Sequence, residues 1–286
     1  MISKRYYFYF LSIFLSVLTI IFYFIFPLNL GIDFTGGQLI EIQTKIKDIQ
    51  NIKNVINIDG TIITSLNSVI IKAKEIDQNK IIEEIRKIDS SAEIIRHENV
   101  SKILSNELVR KSFWAIILVL ISIGIYITFV FSEKRGLIKS WLLGLIVILT
   151  LFHDILITFG FYLLLSYIYK FEFTITIIVA FLLIAGFSVH DTIVVFDRLR
   201  ENIKKINDLT SEIFDNSIKQ TLARSINTSL TAILAILPIA FLIEILRPFI
   251  ITLIAGFIIG TYSSICISIP LAYDLSKKDK LNKAGN

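Results

Sequence analysis

Six runs of about 20 mostly apolar residues, at 6–26, 113–131, 141–165, 173–196, 225–245 and 249–273, constrain this chain more than any other feature. A segment in lipid must satisfy its own backbone polar groups, so such runs span as helices. The sequence therefore predicts a polytopic α-helical membrane protein with six transmembrane helices. Composition agrees: 54% of residues are hydrophobic and 19% charged, against about 25% charged in soluble domains. A disordered chain is excluded by that apolar content. A disulfide-built secreted domain is excluded by the single cysteine, Cys266. The first run follows Lys4 and Arg5, as in a secretory signal, but no small-residue cleavage pattern follows and the run is too long. It reads as a retained anchor helix.

Basic residues set the orientation. Lys4 and Arg5; Lys134, Arg135 and Lys139; Arg198, Arg200, Lys204, Lys205, Lys219 and Arg224; and Lys277, Lys278, Lys280 and Lys283 all fall on one side. Short loops on the other side offer only Lys170 and Arg247. Under the positive-inside rule both termini are cytoplasmic and the long loop is outside. The net charge of +5 is thus a topology signal, and no nucleic-acid partner is expected. The chain divides into a first transmembrane helix at 1–28, an extracytoplasmic α+β domain at 29–111, a five-helix core at 112–275 and a basic cytoplasmic tail at 276–286.

Within 29–111, residues 38–44 alternate apolar and polar and read as a strand, 61–65 and 69–73 read as strands around the Asn67-Ser68 turn, and 92–97 reads as the last strand. Residues 48–56 read as a helix. Asp77 is a candidate N-cap for a second helix to about Ile88, with Ile81, Ile82, Ile85 and Ile88 on one face. The order β-α-β-β-α-β is that of a ferredoxin-like domain. Residues 101–111 are expected to continue as a helix into the second span. His97 is the only histidine here, with no cysteine beside it, so no metal site is expected. Residues 197–224 carry Leu199, Ile203, Ile206, Leu209, Ile213 and Ile218 at helical spacing, the pattern of an amphipathic helix on the cytoplasmic leaflet.

Ionisable residues inside spans are costly and mark functional candidates. His153 and Asp154 lie near the middle of the third span, and His190 and Asp191 near the inner end of the fourth. Arg224 opens the fifth, followed by Asn227, Thr228, Ser229 and Thr231. Asp191 and Arg224 come to similar depth on neighbouring helices. A carboxylate and a guanidinium so placed can alternate between a protonated and a paired state, the chemistry of a proton relay. Gly256 and Gly260 have small-xxx-small spacing, which predicts a close helix contact without naming the neighbour. No His-Glu-x-x-His, phosphate loop or Gly-x-Ser-x-Gly occurs. No catalytic residue and no cofactor is expected.

After the first span comes Gly31-Ile32-Asp33-Phe34-Thr35-Gly36-Gly37, an acid followed by two glycines that permit positive φ. This string resembles the signature at the same place in the SecD/SecF family of protein-export membrane subunits. His153-Asp154, residues 188–202 (SVHDTIVVFDRLREN), residues 224–231 (RSINTSLT) and residues 260–264 (GTYSS) resemble further family motifs in order. Six spans with one short outer domain resemble the SecF branch, since SecD would carry a larger outer region. His190 stands where many family members are expected to have asparagine. The resemblance implies residence in the bacterial inner membrane and pairing with SecD to complete a twelve-span bundle of the RND superfamily. It also implies association with SecYEG and use of the proton gradient to draw exported, unfolded polypeptide outward. Asp191 and Arg224 are implied in proton movement, with His190, Asn227 and Thr228 beside them. A proton-driven small-molecule exporter of the same superfamily is the alternative, and would favour a larger outer region and doubled spans. An intramembrane enzyme would need converging nucleophile, base and oxyanion donors. A purely structural scaffold would tolerate Asp191→Asn.

Overall fold

A computed structural model describes residues 1–44, 60–64, 68–132, 137–206 and 208–284. Among the described residues, six helices are long and apolar enough to cross a membrane: Ile2–Ile25, Lys102–Val130, Ser140–Tyr169, Ile175–Ile206, Ser211–Leu242 and Glu244–Lys278. Within them we label α1 (Arg5–Ile25), α4 (Lys102–Val130), α5 (Ser140–Tyr169), α6 (Ile175–Ile206), α7 (Ser211–Leu242), α8 (Arg247–Ser263) and α9 (Ile269–Ala284). The sheet region contributes α2 (Ile32–Thr35), β1 (Gly37–Gln43), β2 (Gly60–Thr64), β3 (Ser68–Ala73), α3 (Gln78–Arg86) and β4 (Glu93–Val100).

The chain forms two compact units. The helical unit comprises 1–28, 114–171 and 176–286. Its sixth span is the most enclosed, with 72% of its most apolar stretch buried against 11% for each of the first two. The core of this unit joins Ile127, Phe131, Ile146, Val147, Phe196, Phe214 and Ile269. Gly256 and Gly260 meet α6: Gly256 lies against Ile184, and a Cβ on Gly260 would stand 2.9 Å from the Cβ of Ser188. The neighbour left open by the small-residue spacing is therefore the fourth span.

Between α8 and α9 the last span makes a π turn, Ser264–Ser268. Pro270 has no N–H to give to the carbonyl four residues back, that of Cys266, so the α ladder is interrupted here.

Residues 197–224 do not form one separate helix. Residues 197–206 continue α6, and residues 211–224 open α7. Most of their apolar face is turned inward: Leu199, Ile203, Ile213 and Ile218 are buried in the core of the helical unit, while Ile206 is exposed. Apolar periodicity cannot distinguish a face covered by lipid from one covered by protein, and here protein covers most of it.

The second unit comprises 29–113 and 172–175. Its antiparallel sheet has the order β2-β3-β1-β4. Ile40 and Ile42 of β1 are fully buried with Val69 and Ile71 of β3, beneath Ile81, Ile82 and Ile85 of α3. Each such side chain contributes about 1.5–3 kcal/mol on burial. Asp77 caps α3 as expected, accepting the backbone N–H groups of Asn79 and Lys80 at 3.1 and 3.2 Å. Ile88 falls beyond the end of α3 and is exposed, so the apolar face is shorter than the sequence pattern. The helix expected at 48–56 lies outside the described residues. The helix beginning at Lys102 runs without a break to Val130, as expected for 101–111.

Candidate functional site

The polar residues of the helical unit gather around two carboxylates. Asp154, on α5, is 0% exposed. Its Oδ2 accepts hydrogen bonds from Ser188 Oγ of α6 at 2.5 Å and Ser263 Oγ of α8 at 2.7 Å. Its Oδ1 lies 3.0 Å from His153 Nδ1. Neighbouring residues on a helix diverge by about 100°, yet this His and Asp meet through their side chains.

Asp191, on α6, is 2% exposed. Its Oδ2 accepts from Thr261 Oγ1 of α8 at 3.2 Å. Thr261 Oγ1 is also in hydrogen-bond contact with Ser229 Oγ of α7. The buried Ser225 hydroxyl lies beside the carboxylate. No ion pair joins Asp191 to Arg224, because the guanidinium is on an exposed side of α7. His190 is on the exposed side of α6. Asn227 is exposed and Thr228 half-buried, with Thr228 Oγ1 donating to the Arg224 carbonyl at 2.9 Å. The structure thus brings Asp191 together with Thr261, Ser225 and Ser229. It leaves Arg224, His190 and Asn227 facing outward from the chain. Among the described residues no group of histidine, cysteine and carboxylate side chains is arranged to hold a metal ion.

The motif after the first span forms a compact knot within the sheet unit. Gly31 N–H donates to the Phe173 carbonyl at 2.9 Å, and Phe173 N–H to the Asn29 carbonyl at 2.6 Å. The ring of Phe34 stacks on Phe173, with centroids 5.5 Å apart. Thr35 Oγ1 donates back to the Gly31 carbonyl at 3.1 Å. Asp33 Oδ2 accepts the backbone N–H of Ile175, the first residue of α6, at 2.9 Å. That is an N-cap supplied from a distant part of the chain. Lys72 on β3 pairs with Glu172 at 2.7 Å. Gly36 and Gly37 have φ of 74° and 143°, the positive values for which two glycines are suited.

Sequence reasoning singled out the acids and the glycines. It noted Ser229 beside Arg224 and carried Ser188, Ser225, Thr261 and Ser263 only inside motif strings, with no role at a carboxylate, although their concentration in apolar spans was a readable sign.

The family model for the C-terminal part of the SecD/SecF protein export membrane proteins matches residues 80–278, and the model for the SecD/SecF GG motif matches residues 22–45. The chain belongs to the SecD/SecF family. The protein translocase subunit SecF of Sebaldella termitidis is 35% identical over 271 residues, covering 88% of this chain and 83% of that one. The corresponding subunit of Petrotoga mobilis is 34% identical, covering 98% of this chain and 96% of that one. A crystal structure of SecDF from Thermus thermophilus superposes with a TM-score of 0.78 at 30% identity, over 97% of this chain and 38% of that chain. This SecD/SecF chain therefore spans under two-fifths of the SecDF protein it resembles. The knot at Asp33 coincides with the GG-motif match, and both buried carboxylates lie within the C-terminal match.

Proposed function

We propose that this chain is a SecF-like accessory subunit of the Sec protein-export translocase, which pairs with SecD and couples proton movement to the outward movement of exported polypeptide. The observation that carries the reading is Asp191, a buried carboxylate inside a span, held by the Thr261 hydroxyl and not by an ion pair. Such a group can take up and release a proton without first breaking a salt bridge. In this reading Arg224 alternates with the proton as the partner of Asp191, and His190, Asn227 and Thr228 line the approach.

Pairing with SecD is supported by relatives in which the matching region is a third or so of a fused SecDF chain. It is also supported by Arg224, Asn227 and Thr231, which lie exposed on one side of α7. Polar groups inside a span are costly against lipid, and a second helical bundle would cover them. The Thermus relative is described as translocon-associated, and by analogy this chain joins SecYEG and contacts the exported polypeptide. We place it in the bacterial cytoplasmic membrane with both termini inside and residues 29–111 outside, in accord with the distribution of lysine and arginine. The strand order β2-β3-β1-β4 is the order of a ferredoxin-like sheet and supports that fold for the outer domain. The energy source is the proton gradient, at about 2.3 kcal/mol per charge per 100 mV. No hydrolytic step and no bound cofactor are assigned.

The test is export of a secreted protein from cells depleted of this chain, rescued by wild type or by Asp191→Asn at matched membrane abundance. Rescue by wild type alone supports the reading. Equal rescue removes Asp191 from the coupling step. Undiminished export on depletion overturns the export role and favours a small-molecule exporter.

A further inference from the structure

The helices α6 and α8 are joined at two levels by side chains alone. At one level Ser188 of α6 and Ser263 of α8 both donate to Oδ2 of Asp154, which reaches them from α5. At the other level the Thr261 hydroxyl of α8 is shared between the Phe257 carbonyl of its own helix, at 2.9 Å, and Oδ2 of Asp191 of α6, at 3.2 Å. Asp191 follows Ser188 by three residues, less than one turn at 3.6 residues per turn, and Thr261 precedes Ser263 by two. The two junctions are therefore mechanically adjacent on both helices.

Neither serine is forced into this arrangement. A hydroxyl in a span can be satisfied by a carbonyl of its own preceding turn, as Ser268 is by Ser264 and Thr192 by Ser188. Ser263 already has the Gly260 carbonyl at 3.0 Å. One carboxylate oxygen can accept both hydroxyls at a single point between the helices, and Asp154 supplies it. The close approach of Gly260 to Ser188 sets the gap that this oxygen bridges.

We propose that Asp154 is a positioning residue, clasping α6 to α8 through Ser188 and Ser263 so that Thr261 stays within hydrogen-bond reach of Asp191. This deepens the proposed function and rests on Asp191 as the proton carrier. The titratable or charged groups that act on Asp191 are His190 on its own helix and Arg224 from α7. From α8 it meets the hydroxyl of Thr261, while the neighbouring Tyr262 hydroxyl turns to the Phe8 carbonyl of α1.

The test uses the full chain in membrane vesicles with its partner, and compares wild type with the Ser188→Ala/Ser263→Ala double variant, Thr261→Val, and Ser268→Ala. The first readout is the isotope-edited infrared carboxyl band of Asp191, which reports the hydrogen bond from Thr261. The clasp predicts that the double serine variant moves this band in the direction seen for Thr261→Val, and that Ser268→Ala leaves it unmoved. The second readout is the pH at half-maximal proton uptake, expected to shift by about half a unit or more in the double variant. In a Thr261→Val background the serine changes should add no further shift.

An unmoved infrared band in the double variant overturns the clasp, whatever export does. A moved band with proton uptake that survives Asp191→Asn upholds the clasp and overturns the proton reading instead. A band that moves equally in Ser268→Ala overturns the clasp, because any lost hydroxyl would then suffice.

Discussion

Asp33 accepts the backbone N–H of Ile175 at 2.9 Å, across 142 positions of sequence. One carboxylate therefore completes the first turn of α6, the helix that carries both Ser188 and Asp191. No residue next to Ile175 has to do this work, and Thr174 instead packs against Gly31.

Loss of that cap should fray the start of α6. Asp33→Ala is expected to cost about 1 kcal/mol, seen as roughly five-fold faster amide hydrogen exchange at 175–178. Asp33→Asn retains an acceptor and should behave as wild type. Equal exchange in the alanine variant would remove the capping role.

Gly37 sits at φ 143°, and a Cβ there would stand 2.9 Å from the Ala73 carbonyl oxygen. A branched side chain therefore meets both backbone strain and a clash at the first residue of β1. Gly37→Val should destabilise the sheet unit by about 2 kcal/mol or more, measured as faster limited proteolysis between residues 37 and 100. Unchanged cleavage would rule out the constraint.

Lys72 and Glu172 form a pair whose side chains are 11% and 15% exposed. Its removal from one side leaves a poorly solvated charge, so the losses of the two single alanine variants should sum to more than the loss of the double variant. A double-mutant cycle should return a coupling of about 1 kcal/mol. Additive losses would mean that the pair is electrostatically silent.

Gly260 has no room for a large side chain beside Ser188. Gly260→Leu should push α8 from α6 and cost about 1–3 kcal/mol. It should also move the infrared band of Asp191, which Gly186→Ala should not, because a Cβ at Gly186 meets nothing within 4 Å. A mutant with wild-type thermal stability and an unmoved band would contradict the packing described.

The spans were legible because about 20 apolar residues in a row have few alternatives. The first strand was legible because Ile40 to Gln43 alternate, and Asp77 was legible as a cap from its local position. Asp154 and Asp191 were visible as acids in apolar runs. Their partners were not, because serine and threonine in helices have their own carbonyls as the default acceptor, and nothing local says which hydroxyl reaches across. Ser188 and Ser263 cross to Asp154, while Ser268 does not cross at all. The cap from Asp33 to Ile175 had no local sign either, since it depends on two distant segments meeting. Residues 197–224 misled as a single amphipathic helix because their spacing runs on although one helix ends at Ile206 and the next begins at Ser211.

The π turn at Ser264–Ser268 has a geometric consequence for the last span. It places an extra residue without adding a turn, so the helix leaves it rotated by about 100° from where an uninterrupted α-helix would point. Thr261 and Ser263 lie before this offset, and the fully buried Ile269 and Ala272 lie after it. The slip falls where the span is enclosed on every side, since each residue from Ser263 to Pro270 is buried. A chain one residue shorter here would have to re-seat one set against new neighbours: the hydroxyls that hold the carboxylates, or the apolar side chains that anchor the end of the span.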